Sequence, residues 1–186
     1  MSILPREFYS EDTVVVAKKL LGKKITRKIK NEEISGIIIE TEAYRHKDDP
    51  ASHAFCKITE RNERMFGEVG IAYVYFTYGM HYCFNIVAKN KRKQAGAVLI
   101  RAIHPIKGIK RIQKNRGITN LENLTNGPAK LSQALEITRK ENGADVTKKS
   151  NLFITEGIKC KKITASTRIG IKKATERKWN FKIEVL

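Results

Sequence analysis

The spacing of apolar residues predicts three helices along the chain. The first covers residues 10–22 and is capped by Ser10. Its apolar residues recur at helical spacing and share one face: Val14, Ala17, Leu20 and Leu21. Pro105 interrupts the later pattern and predicts a short basic helix over 106–115. A third helix is predicted over 126–137, where a proline stands in the first turn.

Runs rich in β-branched and aromatic residues predict strands between these helices. The clearest strands are 23–30, 33–44, 71–78, 81–88 and 97–103, with shorter ones near 152–155, 161–170 and 180–185. Turn residues join the first strand to the second and the third to the fourth, as in hairpins. Because repeats and a low-complexity linker are absent from the sequence, the pattern predicts one α+β domain over residues 1–186.

Composition and charge restrict the class of protein further. Hydrophobic residues make up 41% of the chain and charged residues 30%, which excludes a disordered or fibrous protein. The 37 basic and 19 acidic residues give a formal net charge of +18. Such a surplus favours a polyanionic partner, chiefly nucleic acid and less often an anionic membrane surface. A lysine- and isoleucine-rich chain encoded by an AT-rich genome is the alternative explanation.

The three cysteines and the apolar runs indicate the compartment. Cys56, Cys83 and Cys160 contain no C-x-x-C spacing, so neither a disulfide framework nor a four-cysteine metal site is expected. Free thiols suit a reducing cytoplasm. The amino terminus lacks the apolar stretch of a signal peptide, and no run approaches the roughly 18 apolar residues that span a membrane. We therefore expect a cytoplasmic protein without a membrane partner.

The strand 33–44 ends in candidate catalytic carboxylates. Alternate side chains on a strand share a face, so Glu40, Glu42 and Tyr44 point one way. A carboxylate at the end of an apolar strand can act as a general base. Arg101 lies within an apolar strand and needs an acidic partner, for which Glu40 and Glu42 are candidates. The alternative is an ordinary solvated strand face.

The polar segment 45–70 is a long loop, and such loops are typically functional or disordered. It contains Asp48, Asp49 and His53, which could hold a metal ion, or His53 could act alone. Their spacing matches no standard zinc signature, however, and a single loop histidine is usually an ordinary polar residue. No metal site is therefore predicted.

Aromatic residues are concentrated in the hairpin of residues 71–88. They could fill the core, but tyrosines near basic residues also suit stacking on nucleobases. Tyr78 stands next to Gly79 at a predicted sharp bend, which favours an exposed ring. Carboxylate, tyrosines, histidine and arginine together describe the pocket of an enzyme that acts on a flipped-out base.

These residues occur within ordered motifs that span nearly the whole chain. The sequence resembles the alkyladenine (3-methyladenine) DNA glycosylase family, and several ordered strings are far more specific than any single one. The strings are Glu40-Thr41-Glu42-Ala43-Tyr44, Ala51-Ser52-His53, Arg61-Asn62-x-x-Met65-Phe66, Tyr73-Val74-Tyr75-x-x-Tyr78-Gly79-Met80, Asn85-Ile86, Val98-Leu99-Ile100-Arg101-Ala102, Asn126-Gly127-Pro128-x-Lys130-Leu131-x-Gln133-Ala134-Leu135 and Arg168-Ile169-Gly170.

The resemblance implies a catalytic pair and a fold. Glu42 matches the glutamate that activates the attacking water, and Arg101 matches the arginine that helps to hold that water and the carboxylate. The implied fold is a single compact α+β domain with a curved, mainly antiparallel sheet flanked by helices, without metal or organic cofactor. The implied enzyme is a monofunctional hydrolase that releases 3-methyladenine and other alkylated purines, leaving an abasic site.

The resemblance also implies a base pocket and a DNA wedge. Tyr44, His53 and Tyr75 match the residues that sandwich the flipped base, and Asn85 matches an asparagine that disfavours the amino group of guanine. Tyr78 matches the tyrosine that fills the place vacated by the base. The expected partner is damaged double-stranded DNA, bound by a monomer that would be associated with the nucleoid in a bacterium.

Other functions are open on the sequence alone. A non-catalytic RNA- or ribosome-binding module would have the same charge and aromatic content. A bifunctional glycosylase would form a Schiff base through one of its lysines. A helix-hairpin-helix glycosylase is disfavoured because the chain has no glycine-rich hairpin before a catalytic aspartate and too few cysteines for a four-cysteine cluster.

Overall fold

Helix α1 starts later than the sequence predicts because a different residue caps it. The computed structural model describes residues 2–185 and places α1 at Thr13–Leu20. The side chain of Asp12 accepts a hydrogen bond from a backbone amide of the first turn, so Asp12 is the N-cap. Ser10 follows a separate 3-10 turn at Arg6–Tyr9. The predicted N-cap is therefore wrong, while the helix itself is confirmed.

Eight antiparallel strands form one sheet in the described part of the chain. The strands are β1 Lys24–Ile29, β2 Glu32–Arg45, β3 Ala72–Thr77, β4 His81–Val87, β5 Gly96–Lys107, β6 Leu152–Thr155, β7 Thr164–Ser166 and β8 Asn180–Lys182. The main path of the sheet runs β3-β4-β5-β2-β1-β6, and β8 pairs with both β2 and β7. The long strand β2 pairs with β1 over residues 32–37 and with β8 over residues 40–42, and its pairing with β5 is irregular around Glu40.

Strand β5 continues through Pro105, contrary to the prediction that this proline starts a helix. Pro105 pairs with Gly36 next to an irregularity in the register of β5 against β2, where Ile106 has no partner. A proline has no amide hydrogen to donate, and bulges are where a sheet tolerates that loss. Helix α2 consequently starts only at Ile109 and spans Ile109–Arg116. Helix α3 spans Pro128–Ala134, with the proline in the first turn as expected.

The core has two parts, and the smaller one positions the long loop. The larger part joins α1, α2 and α3 to the sheet. The smaller part lies under the loop between β2 and β3 and includes Ala54 and Met65 from the loop itself. Tyr44 and Tyr75 pack against this smaller cluster. The predicted fold is confirmed: one α+β domain with a curled, mainly antiparallel sheet and flanking helices.

Within residues 2–185, none of the helices combines the length and the apolar character that crossing a bilayer demands.

Candidate active site

A cavity of about 370 Å³ opens between the end of β2, the β3–β4 hairpin and the long loop. Six of the seven site residues predicted from the sequence line it: Tyr44, His53, Tyr75, Tyr78, Asn85 and Arg101. The seventh, Glu42, has no exposed side-chain surface and lies immediately behind this wall. The fold thus brings together residues that are up to 59 positions apart in the sequence.

The Glu42 carboxylate accepts hydrogen bonds from four protein donors. Oε2 accepts from the Tyr44 hydroxyl at 2.8 Å and from Nη1 of Arg101 at 3.3 Å. Oε1 accepts from the backbone amide of Ile169 at 2.7 Å and from Nδ2 of Asn180 at 3.0 Å. A carboxylate has about four acceptor positions, so the protein occupies all of them in this arrangement. The side chain is buried as a fully hydrogen-bonded group.

The alternation along β2 explains how the two carboxylates reach the same place. Thr41 points to the opposite face, where its hydroxyl donates to the Ala17 carbonyl of α1. Glu40, Glu42 and Tyr44 share the other face, as predicted. Because Glu42 is fully buried, the alternative of a solvated strand face is excluded.

Arg101 bridges the two carboxylates. Its Nε donates to Glu40 at 2.9 Å and its Nη1 to Glu42 at 3.3 Å, which confirms the acidic partners expected for this residue. Burial disfavours the charged guanidinium, but the attraction of Glu42 and Glu40 outweighs it and raises the pKa of Arg101 above its ordinary value. The arginine therefore carries a fixed positive charge against the cavity wall.

Asn180 completes this network, and sequence reasoning missed it. The Nδ2 atom of Asn180 lies 2.7 Å from Glu40 Oε1 and 3.0 Å from Glu42 Oε1. It stands on β8, which pairs with β2 at the position of Glu42. A single asparagine in a short strand about 140 residues further along the chain has no local signal that links it to β2.

The aromatic walls of the cavity are tyrosines held in fixed orientations. Burial, and to a lesser extent the nearby Glu42 carboxylate, raises the pKa of the Tyr44 hydroxyl. The hydroxyl therefore stays protonated and donates its hydrogen bond to Glu42. Burial is also the main factor that raises the pKa of Tyr75. The ring of Tyr75 lies edge-on to the imidazole of His53, with centroids 4.7 Å apart. Both tyrosines can therefore offer neutral π faces to a ligand.

His53 is a polar group at the cavity mouth. Its Nδ1 lies 3.0 Å from the Tyr73 hydroxyl. Desolvation by the surrounding loop, together with the positive charge of Arg61, lowers the pKa of His53. The imidazole is thus neutral near neutral pH and can exchange a hydrogen bond with a bound base.

Asn85 is buried on β4 beside the cavity. Its Nδ2 donates to the backbone carbonyls of Tyr73 at 3.1 Å and Cys83 at 3.3 Å. Both amide hydrogens are therefore engaged, and the side-chain oxygen is left to accept from a ligand. Asn85 therefore lines the cavity, as the sequence predicts.

Tyr78 projects from the turn between β3 and β4. The backbone φ is +51° at Tyr78 and +67° at Gly79, both in the left-handed region. A left-handed residue other than glycine is uncommon, and such strain is concentrated at functional sites. The turn exposes 86% of Tyr78, so the prediction of a presented ring rather than a core residue is confirmed.

The two loop aspartates form ion pairs with arginine and lysine. Asp48 pairs with Arg45 at 2.7 Å and with Lys93 at 3.1 Å, while Asp49 pairs with Arg168. Over the described range 2–185, no cluster of three histidine, cysteine or acidic side chains has the proximity that a metal ion requires.

Comparison with known proteins identifies the family to which this fold and this cavity belong. Residues 7–185 match the methylpurine-DNA glycosylase family, and the chain belongs to it. A Carboxydothermus hydrogenoformans protein provisionally named a 3-methyladenine DNA glycosylase is 48% identical, over 96% of this chain and 94% of that protein.

Two further relatives carry the same provisional name. Those from Francisella tularensis subsp. tularensis and Clostridium acetobutylicum are each 44% identical to this chain. The alignments cover 92% and 97% of this chain, and 90% and 94% of the relatives. Membership of a DNA glycosylase family makes the chain an enzyme of DNA repair, and removes the alternative of a non-catalytic RNA- or ribosome-binding module.

Proposed function

We propose that this protein flips an alkylated purine, such as 3-methyladenine, out of duplex DNA and hydrolyses its N-glycosidic bond. The observation that carries the proposal is the buried Glu42 carboxylate behind the wall of a tyrosine-lined cavity of about 370 Å³. The products are the free base and an abasic site, from which base excision repair proceeds.

Glu42 is the proposed general base. Cleavage of the bond builds positive charge on the sugar, as in glycoside hydrolysis, and a nearby carboxylate stabilises that charge. Water must displace one of the four donors to reach Glu42, and the longest contact is that of Arg101 Nη1 at 3.3 Å. We propose that the water binds to Oε2 there, so that Glu42 takes its proton while Arg101 stays close through Glu40.

The tyrosine walls favour an alkylated purine over a normal base. A purine such as 3-methyladenine is cationic in DNA, and each ring of Tyr44 and Tyr75 can add about 0.5–2 kcal/mol of cation–π attraction. The neutral His53 does not repel such a base. A damaged base is also easier to unpair than an intact one, by up to a few kcal/mol.

DNA binding is assigned to the Tyr78 turn and to the basic surface. Inserted side chains fill the space that a flipped nucleotide leaves and kink the duplex. The net charge of +18 supports sequence-independent contacts with phosphates. We propose that the protein acts as a monomer on the nucleoid.

Incubation of the protein with methylated duplex DNA, followed by chromatography of the released bases, tests this function. Free 3-methyladenine and alkali-sensitive abasic sites are the expected products. Borohydride added during the reaction tests the lysine mechanism, because a Schiff base would be trapped as a covalent protein–DNA adduct. Absence of released base would refute the proposed function, and a trapped adduct would refute the monofunctional mechanism.

A further inference from the structure

Asp49 and Arg168 form a completely buried, bidentate ion pair next to the cavity. Nη1 and Nη2 of Arg168 each lie 2.6 Å from a carboxylate oxygen of Asp49. Neither side chain has any exposed surface. A buried ion pair adds little net stability compared with apolar residues of similar size, so a pair in this position calls for another explanation.

The pair ties together three segments that form the cavity. Arg168 Nη1 also donates to the backbone carbonyl of Ala43, near the end of β2. The Asp49 carboxylate also accepts from the backbone amides of Arg45 at 3.1 Å and Ala51 at 3.3 Å. The end of β2, the long loop and the segment between β7 and β8 therefore share one contact point.

Arg168 also lies against the ring that forms one wall of the cavity. Its guanidinium carbon is 4.6 Å from the centroid of Tyr44 and 5.2 Å from that of Trp179. Because Arg168 is buried and does not line the cavity, it supports Tyr44 from the protein side. Movement of Arg168 would release the ring from that position.

The residue that follows Arg168 contacts the proposed general base directly. The backbone amide of Ile169 donates to Glu42 Oε1 at 2.7 Å, the shortest of its four hydrogen bonds. The anchored guanidinium thus determines where this amide lies, while Ile169 itself lines the cavity.

We propose that Arg168, clamped by Asp49, is a positioning residue for base release. It acts through two groups: the Tyr44 ring that stacks on the base, and the Ile169 amide that orients Glu42. The inference rests on the proposed function, since both groups are part of the proposed site. Asp49, which the sequence alone offered only as a possible metal ligand, thereby has the role of holding Arg168 in place.

The substitution Arg168→Lys tests this role because lysine keeps the positive charge but lacks the planar guanidinium group that bonds to both carboxylate oxygens of Asp49. We expect the single-turnover rate of base release from methylated duplex to fall at least tenfold. Affinity for a duplex with an abasic-site analogue should stay within threefold of wild type, because Tyr78 and the basic surface are unchanged. A general structural defect would lower rate, affinity and unfolding free energy together, and that outcome would refute positioning.

Arg177→Lys is the matched control. Arg177 also stacks on Trp179, at 4.6 Å, but within residues 2–185 it contacts neither Asp49 nor Tyr44. The Arg177→Lys variant should therefore release base at the wild-type rate. If Arg168→Lys does not fold, Asp49→Asn keeps the shape of the side chain but removes its charge and one of the two oxygens that accept from Arg168. A folded Asp49→Asn or Arg168→Lys variant that releases base at the wild-type rate overturns the inference. Wild-type protein that releases no base refutes the proposed function and the inference with it.

Discussion

The hydroxyl of Tyr44 donates a 2.8 Å hydrogen bond to Oε2 of Glu42, so a wall of the cavity also holds the carboxylate behind it. The two residues are neighbours on one face of β2. Base stacking and carboxylate orientation are therefore coupled through a single side chain. A base that presses on the ring acts on the same group that positions the proposed catalyst.

Tyr44→Phe should separate these two effects. The phenyl ring remains for stacking, while Glu42 loses one of its four donors. A hydrogen bond to a charged group is worth about 1.5–3 kcal/mol, so the single-turnover rate of base release should fall about tenfold or more. The control is Tyr9→Phe, since the buried Tyr9 hydroxyl has no hydrogen-bond partner within residues 2–185 and lies in the core. Equal rates for both variants would argue against a role for the Tyr44 hydroxyl.

Tyr78→Ser should weaken DNA binding without unfolding the protein. The side chain is 86% exposed, so its removal leaves no cavity in the core. Affinity for a duplex with an alkylated purine or an abasic-site analogue should fall at least tenfold, measured by fluorescence anisotropy. Tyr78→Phe retains the ring and should bind as wild type does. Loss of several kcal/mol of stability in Tyr78→Ser would instead identify a structural residue.

Arg101→Met should destabilise the fold. Glu40 and Glu42 would remain buried without their shared cation, and breaking a buried ion pair costs about 3–5 kcal/mol. Urea denaturation measures this loss. Lys182 also contacts Glu40, at 3.4 Å, but from an exposed position, so Lys182→Met should cost less than about 1 kcal/mol. A similar loss in both variants would contradict the difference in burial.

Affinity for undamaged duplex should fall steeply with salt and depend little on sequence. The net charge is +18, and exposed Lys172 and Lys173 follow the cavity-lining residue Ile171 directly. A protein that neutralises several phosphates releases counterions on binding, so the logarithm of its affinity falls linearly with the logarithm of the salt concentration. Between about 50 and 200 mM salt, we expect at least a tenfold loss. Affinity that does not change over this range would exclude phosphate contacts as its source.

The parts of the site that the sequence predicts are those with local signals. Alternation along β2 places Glu42 and Tyr44 on one face, and a tyrosine before glycine at a hairpin bend predicts the exposed Tyr78. The bond between Arg101 and the two carboxylates follows from the cost of burying an unpaired charge. The family resemblance then assigns roles to these residues.

Contacts between distant segments lie beyond such reasoning. Asn180 reaches Glu42 because β8 pairs with β2, and nothing around it in the sequence indicates that contact. Arg168 stands in one of the ordered strings, but nothing in that string indicates that its partner is Asp49. The prediction of a helix directly after Pro105 is wrong for the opposite reason. The local signal of this proline is strong, but the irregular pairing with β2 accommodates it within a strand.

Single-turnover base release by Glu42→Gln tests the central claim most directly. Glutamine cannot accept the proton of the attacking water, so release of 3-methyladenine should fall by about 10²–10⁴-fold. Binding to an abasic-site analogue should persist, and Glu33→Gln on the same strand should behave as wild type. Base release by folded Glu42→Gln at the wild-type rate would contradict the assignment of Glu42 as the catalytic base.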